Sequence, residues 1–212
     1  MNGNNSALTA LARTTQDVYE RNAERFDRER PKGLHERRWL DRLVEDLNEG
    51  DAILDVGCGA ADPIAGYFLS RGLKVTGIDA SHRMIDLAKK RWPDADWQVK
   101  DMRDLAHGPL FDAVLAWNSF FHLTMDEQRA VLPMLCARLV PSGRLMLTVG
   151  PRESEEVGRV GDDPIYHSSL SQAEYAQILT ANHLRILSFV LEDPDCDMQT
   201  ILLAEKAPAA PT

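Results

Sequence analysis

A glycine turn between an apolar run and a helical pattern constrains this chain more than any other feature. Ala52-Ile-Leu-Asp-Val56 reads as a buried strand and Pro63 to Ser70 as the helix after it, with Gly72 as its stop. Asp55-Val-Gly-Cys-Gly-Ala-Ala61 joins the two. Gly57 and Gly59 permit positive-φ turns and let a ligand approach the backbone closely. The start of the following helix presents unpaired N–H groups and the positive end of a dipole. Lys74-Val-Thr-Gly-Ile78 is a second strand, and it ends at Asp79. In nucleotide-binding sheets an acid placed there, about 20 residues past the turn, reaches ribose hydroxyls. A Gly-x-Gly by itself is compatible with a plain tight turn, so the argument needs companions.

The rest of the chain supplies them. Ser81 caps a helix whose face carries Met84, Ile85 and Ala88 and which ends near Pro93. Trp97 to Val99 is a third strand, followed by Asp101-Met102. Phe111 to Ala116 is a fourth, Asp126 to Leu139 is helical, and Arg144 to Val149 is a fifth strand entered through the turn Pro141-Ser-Gly143. Strands alternating with helices imply a parallel sheet covered on both faces. A helix from Ser171 to Ala181 then precedes Leu184 to Leu191 and Gln199 to Ala204. The turn Glu192 to Asp197 between these last strands is too short for a parallel crossover, so they must pair antiparallel. The expected fold is α/β and Rossmann-like: a mostly parallel seven-stranded sheet, helices on both faces, and an antiparallel C-terminal hairpin.

Composition excludes several alternatives. Hydrophobic residues make up 44% of the 212 positions and charged ones 27%, enough for one ordinary core. No apolar run approaches the roughly 18 to 20 residues that span a bilayer, and the Asn-rich start, Met1 to Ala7, lacks the basic and apolar order of a secretory signal. No membrane partner is therefore expected. Cys58, Cys136 and Cys196 are far apart and odd in number, which gives neither a disulfide framework nor a metal spacing and fits the cytoplasm. A net charge of −9 argues against nucleic acid as the main partner. The basic stretch from Arg21 to Arg42 is interleaved with acids and reads as solvated helices with i,i+4 ion pairs.

On these residues the chain resembles the class I S-adenosylmethionine-dependent methyltransferases. The likeness is carried by Ile53-Leu-Asp-Val-Gly-Cys-Gly59, Val75-Thr-Gly-Ile-Asp-Ala-Ser81 with Met84, Asp101-Met102, Phe111-Asp-Ala-Val114 and Leu139 to Met146. It runs from about residue 35 to residue 205, and the closing antiparallel hairpin is typical of that fold. It implies S-adenosylmethionine as cofactor. Asp55, Gly57, Cys58 and Gly59 would line the methionine moiety. Asp79 would take the ribose, with Ala80 and Met84 flanking the adenine and Asp101 with Met102 capping it. Trp117 would face the cofactor, and Tyr19 would close over it. Many members have a further glycine where this chain has Ala61. A dinucleotide-binding enzyme is the rival, but its fingerprint wants glycine or alanine where this chain has Asp62.

Methyl transfer from a sulfonium is an in-line displacement, so the protein must mainly align the acceptor and exclude water. A base is needed only if the nucleophile must lose a proton. Three regions are expected to build the acceptor pocket: Trp117 to His122, the glycine-bearing connection Gly150 to Leu170, and the segment around Tyr19, Phe26 and Arg30. His122 and His167 are the base candidates, near the pocket mouth. Trp117, Phe120, Phe121 and Tyr166 point to a partly apolar acceptor. A small-molecule acceptor is the leading reading. Cofactor binding without transfer, and methylation of protein or RNA, are the alternatives. The domain layout expected is one unit: an N-terminal helical segment over 1–32 that could act as a lid, a core over 33–206, and a frayed tail over 207–212.

Overall fold

The computed structural model describes the backbone of residues 2–209 and the side chains of residues 7–209. The Asn-rich start from Met1 lies largely outside the described side chains, and the last three residues of the expected tail lie outside the described residues.

The chain opens with α1 (Asn2–Glu29) and α2 (Arg37–Leu43). The alternating core follows: β1 (Ala52–Val56), α3 (Ile64–Ser70), β2 (Lys74–Asp79), α4 (His82–Arg91), β3 (Asp96–Val99), β4 (Phe111–Ala116), α5 (Met125–Ala137) and β5 (Leu139–Val149). Two further strands, β6 (Ser154–Val160) and β7 (Asp163–Ser169), precede α6 (Gln172–Ala181), β8 (Leu184–Asp193) and β9 (Gln199–Lys206). The main sheet has seven strands in the order β3-β2-β1-β4-β5-β9-β8. β1 pairs in parallel with both β2 and β4, whereas β9 runs antiparallel to β5 and β8. The expected fold is therefore the observed one. β1 and β4 are buried along nearly their whole length because helices cover both faces, and a separate apolar core lies on each side.

The strand order places a site. Chain direction reverses between β1, which leads outward to β2 and β3, and β4, which leads to β5. Carboxyl ends at such a switch point diverge and leave a crevice. Local chemistry fixes the turns around it. Ser81 caps α4 by accepting from Met84 N, and Thr124 with Glu127 forms a capping box on α5.

Two regions differ from expectation. The connection Gly150 to Leu170 is a β-hairpin, paired in register from Ser154↔Ser169 to Val160↔Asp163. Pro164, Gly158 and Gly161 give it the composition of a loop, but Gly161-Asp162 between a run with Val157 and Val160 and a run with Ile165 and Tyr166 is a two-residue hairpin turn. The second is β5, expected from Arg144 after a turn at Pro141-Ser-Gly143 but running from Leu139. α1 falls within the helical segment expected over 1–32 and stops before Arg30-Pro31, since proline disfavours a helical residue ahead of it. The Arg25–Glu29 and Arg37–Asp41 pairs are the i,i+4 type expected. Other basic residues there tie the fold together instead: Arg38 bonds Asp193 and Asp195, and Trp39 Nε1 donates to the buried Asp193 at 2.7 Å.

Candidate functional site

A 490 Å³ cavity opens at the carboxyl edge of β1, β2 and β4, a size ordinary for a small-molecule site. Its floor is the glycine turn. Gly57 and Gly59 adopt φ of 73° and 54°, a region that costs other residues steric strain. Gly57 N and Cys58 N both donate to Ile78 O, at 2.8 and 3.0 Å, which stitches the turn to the end of β2. A side chain on Gly57 would meet Ser119 at 2.3 Å, whereas one on Gly59 would find only Met84, 3.9 Å away, and fill open space. Ala61 also sits at positive φ, 61°, where relatives of this pattern often carry glycine, so the turn keeps its course despite alanine.

Asp79 lines the cavity with two commitments: one carboxylate oxygen accepts Gly59 N at 2.9 Å, the other Ser81 N at 2.8 Å. A carboxylate offers about four acceptor positions, so each oxygen retains one. Burial raises the Asp79 carboxyl above the usual range, opposed by those two N–H bonds. Asp101 is more occupied. Arg103 approaches both its oxygens, through its backbone N and side chain, at 2.9 Å. Gly57, Gly59, Asp79, Ala80, Met84, Asp101, Met102 and Trp117 all line the cavity.

The roof is α1. Ala12, Thr15, Gln16, Tyr19, Asn22, Phe26 and Arg30 recur at three- and four-residue steps and face inward. This face is largely polar, so the apolar periodicity that marks a packed helix is missing. The helix is nonetheless fastened along its length. Gln16 Nε2 donates to Ala80 O at 3.0 Å, and Ser81 Oγ donates to Glu20 at 2.6 Å. Asn22 and Arg21 donate to Asp163 on β7, and Asp27 pairs with Arg91, which also donates to Ala60 O.

His122 lies where roof, floor and hairpin meet. Its Nδ1 is 3.0 Å from Tyr166 O, which can only accept, so Nδ1 carries the proton. Its Nε2 is then the acceptor for the Tyr19 hydroxyl at 2.9 Å. Burial lowers His122 to about 4, against the Tyr166 carbonyl, so the ring is neutral near pH 7. Burial and then Asp79 push the Tyr19 phenol well up, so it keeps its proton.

Three expected residues sit away from the cavity wall. Asp55 is buried behind it, and burial raises its carboxyl to about 7, with Arg30 opposing. Cys58 turns into the core, where Gly77 leaves room for its sulfur and for Trp97. His167 lies behind the partition formed by Phe121 and His122, with ring centroids 4.7 and 5.0 Å away, and lines a second, 240 Å³ cavity. Phe120 and the ring of Tyr166 are packed in the interior instead of the pocket. The aromatic lining is Tyr19, Phe26 and Trp117. Among the described residues no group of His, Cys, Asp or Glu could hold a metal ion, and no helix is long and apolar enough to cross a membrane.

Fold and cavity together define an α/β protein with a ligand site at the switch point of its sheet. Residues 53–143 match the family model described as methyltransferase domain. The magnesium-protoporphyrin O-methyltransferase of Rhodobacter capsulatus is 33% identical over 118 residues, covering 53% of this chain and 50% of that protein. A dTDP-4-amino-2,3,4,6-tetradeoxy-D-glucose N,N-dimethyltransferase of Saccharopolyspora spinosa is 30% identical over 99 residues, 46% of this chain and 39% of that protein. The chain thus spans half or less of the length of these curated relatives. Among solved structures, magnesium protoporphyrin IX methyltransferase from Synechocystis with bound SAH superposes with a TM-score of 0.72 at 18% identity, over 92% of this chain and 99% of that one. A [4+2]-cyclase superposes with a TM-score of 0.63 at 21% identity, over 81% and 82%. Residues 53–143 thus match the methyltransferase-domain model, and the chain shares its fold with solved S-adenosylmethionine-dependent methyltransferases.

Proposed function

We propose that this chain transfers a methyl group from S-adenosylmethionine to a small-molecule acceptor. The observation that carries the reading is Asp79, which lines the cavity beside an open glycine cradle with one acceptor position left on each oxygen. Two adjacent ribose hydroxyls would occupy those positions. Ala80 and Met84 lie beside them for the adenine, with Met102 opposite, and Asp101 keeps about one lone pair for an exocyclic amine. Arg30 faces the same space, and its charge already acts on Asp55 and Tyr19, which suits it to the methionine carboxylate. The cofactor supplies a methyl group on a positively charged sulfur that leaves as a neutral thioether.

The chain's own residues align the acceptor. Tyr19 presents its hydroxyl oxygen to the cavity while donating to His122. An acceptor X–H can donate to that oxygen, and Tyr19 can then pass its proton to His122 Nε2. A histidine near 4 is a weak base, so this route suits an acceptor whose X–H is itself readily ionised as the methyl group arrives. This route assigns the base role to His122 through Tyr19 and gives His167 a packing role against Phe121. Relatives act, by name, on a porphyrin and a nucleotide-linked amino sugar, which supports a small-molecule acceptor. Binding without transfer remains the second reading, because a [4+2]-cyclase shares the fold.

Titration calorimetry tests the first step. S-adenosylhomocysteine should bind and NAD should not. Asp79→Asn should weaken binding at least about tenfold, from lost charge-assisted bonds worth roughly 1.5 to 3 kcal/mol each. An unchanged affinity in the variant would place the ribose elsewhere. Release of S-adenosylhomocysteine with a panel of small acceptors then separates transfer from binding alone.

A further inference from the structure

The cavity extends between α1 and the turn of the β6–β7 hairpin, where Arg25, Arg159, Val160 and Gly161 line it. We propose that the acceptor carries an oxyanion, a carboxylate or a phosphate, which Arg25 and Arg159 receive at this end. The inference rests on the methyl-transfer reading of the same cavity. Both arginines line it, one from each element.

Arg25 is placed by Gly161. A side chain there would come within 2.8 Å of the Arg25 guanidinium, and Gly161 stands at φ 58°, where glycine is favoured. Arg25 is also aimed. Its Nε donates to both oxygens of Glu29, at 3.0 and 3.1 Å, which fixes the fork and leaves the terminal nitrogens for another partner. Arg159 makes one bond, to Asp162 O at 3.1 Å, and among the described residues no carboxylate pairs with it. Of the nearby acids, Asp163 is committed to Arg21 and Asn22, and Glu29 to Arg25. Asp162 and Asp163 also act on Arg25 from the hairpin turn, so Arg159 is the fork here with no carboxylate bonded to it among the described residues. Arg25 is six residues beyond Tyr19, about 9 Å along the helix axis. The oxyanion is therefore held at the other end of one small molecule from the atom facing Tyr19.

The test uses phloretate, a phenol with a propanoate arm, its neutral amide, and tyrosol phosphate. Each is titrated into the protein with and without saturating S-adenosylhomocysteine. At least one of the two anions should bind about tenfold more tightly than the amide, and which anion wins decides between carboxylate and phosphate. Arg25→Gln and Arg159→Gln should each erase most of that preference, Arg159→Lys should keep part of it, and S-adenosylhomocysteine affinity should stay within about twofold as the check on folding. Equal affinity for the amide and both anions, no binding of either anion, or a preference that survives both glutamine variants overturns the proposal. Failure of S-adenosylhomocysteine to bind the unaltered protein overturns the methyl-transfer reading instead. The arginine test then still reads out from the titrations without it.

Discussion

The chain keeps a carboxyl group in its interior at Asp55, on the last turn of backbone before the glycine cradle. Burial raises it to about 7, with Asp79 adding to the rise and Arg30 holding it down. In the unfolded chain the same group ionises near 3.9. Between these values the folded state binds more protons than the unfolded one, so this group's contribution to stability falls as pH rises from about 4 to about 7 and is flat above. His122 has the opposite sign. Its folded value of about 4 lies below the unfolded 6.5, so its contribution falls as pH drops through that interval. The two slopes oppose each other in the whole protein, and a difference measurement separates them. Asp55→Asn should unfold with the same urea midpoint as the unaltered chain near pH 4. Its advantage should then grow to at least about 1 kcal/mol by pH 8, because His122 cancels in the comparison. A difference that stays constant with pH would mean that Asp55 ionises normally in the fold.

Among the elements, those whose pattern served a single purpose were legible. The β1, β2, β4 and β5 runs had to be buried on both faces, so apolar continuity marked them, and Asp79, Ala80, Met84 and Met102 could be placed because the cradle and its opposing strand ends are read from turn chemistry. α1 and the hairpin were not legible in the same way. Their inward faces touch ligand space rather than core, so neither carries an apolar period, and Pro164 with Gly158 and Gly161 disguised the hairpin. Arg30 was expected at the pocket with Tyr19 and Phe26, whereas Arg25 was read as surface charge and Arg159 was missed as a wall residue. The same absence of apolar packing gives these elements a testable weakness. α1 meets β7 through Asn22 and Arg21 on Asp163, at 2.8 and 3.0 Å, a partly exposed pair. Such solvent-screened pairs contribute little to stability. Asp163→Asn should therefore leave the midpoint of thermal unfolding within about 3 °C while speeding dissociation of S-adenosylhomocysteine several-fold in stopped-flow displacement. A large drop in the midpoint with unchanged dissociation would make the contact a stability element and nothing more.

At the scale of the molecule, stability and access are assigned to different parts. The two large cores flank the seven-stranded sheet and contain no residue of α1. The helix packs instead on a small cluster, Ala23 with Ala60 and Met84, edged by Tyr19 and Phe26. Its remaining polar fastenings run to four separate places: the β2–α4 turn, the glycine turn through Arg91, His122 after β4, and the hairpin. An element tied by polar bonds over a small apolar contact opens at a free energy well below that of the central strands. The cavity lies under it, so opening of α1 is the expected route of ligand entry. A ligand touching Tyr19, Arg30 and Asp79 together bridges roof and floor and must be released before α1 can open. Native-state hydrogen exchange should show this as two tiers. Without ligand, α1 and β6–β7 amides should exchange through a low-energy opening, while β1, β4 and β5 exchange only at the global limit. Saturating S-adenosylhomocysteine, at about 100 times its dissociation constant, should raise the α1 opening by roughly 2.7 kcal/mol. The hairpin should follow as far as Asp163 couples it. Central-strand amides gain the same increment only because global unfolding also releases the ligand. If α1 already exchanged as slowly as β4 in the free protein, the helix would be a permanent wall and entry would have to lie on the hairpin side.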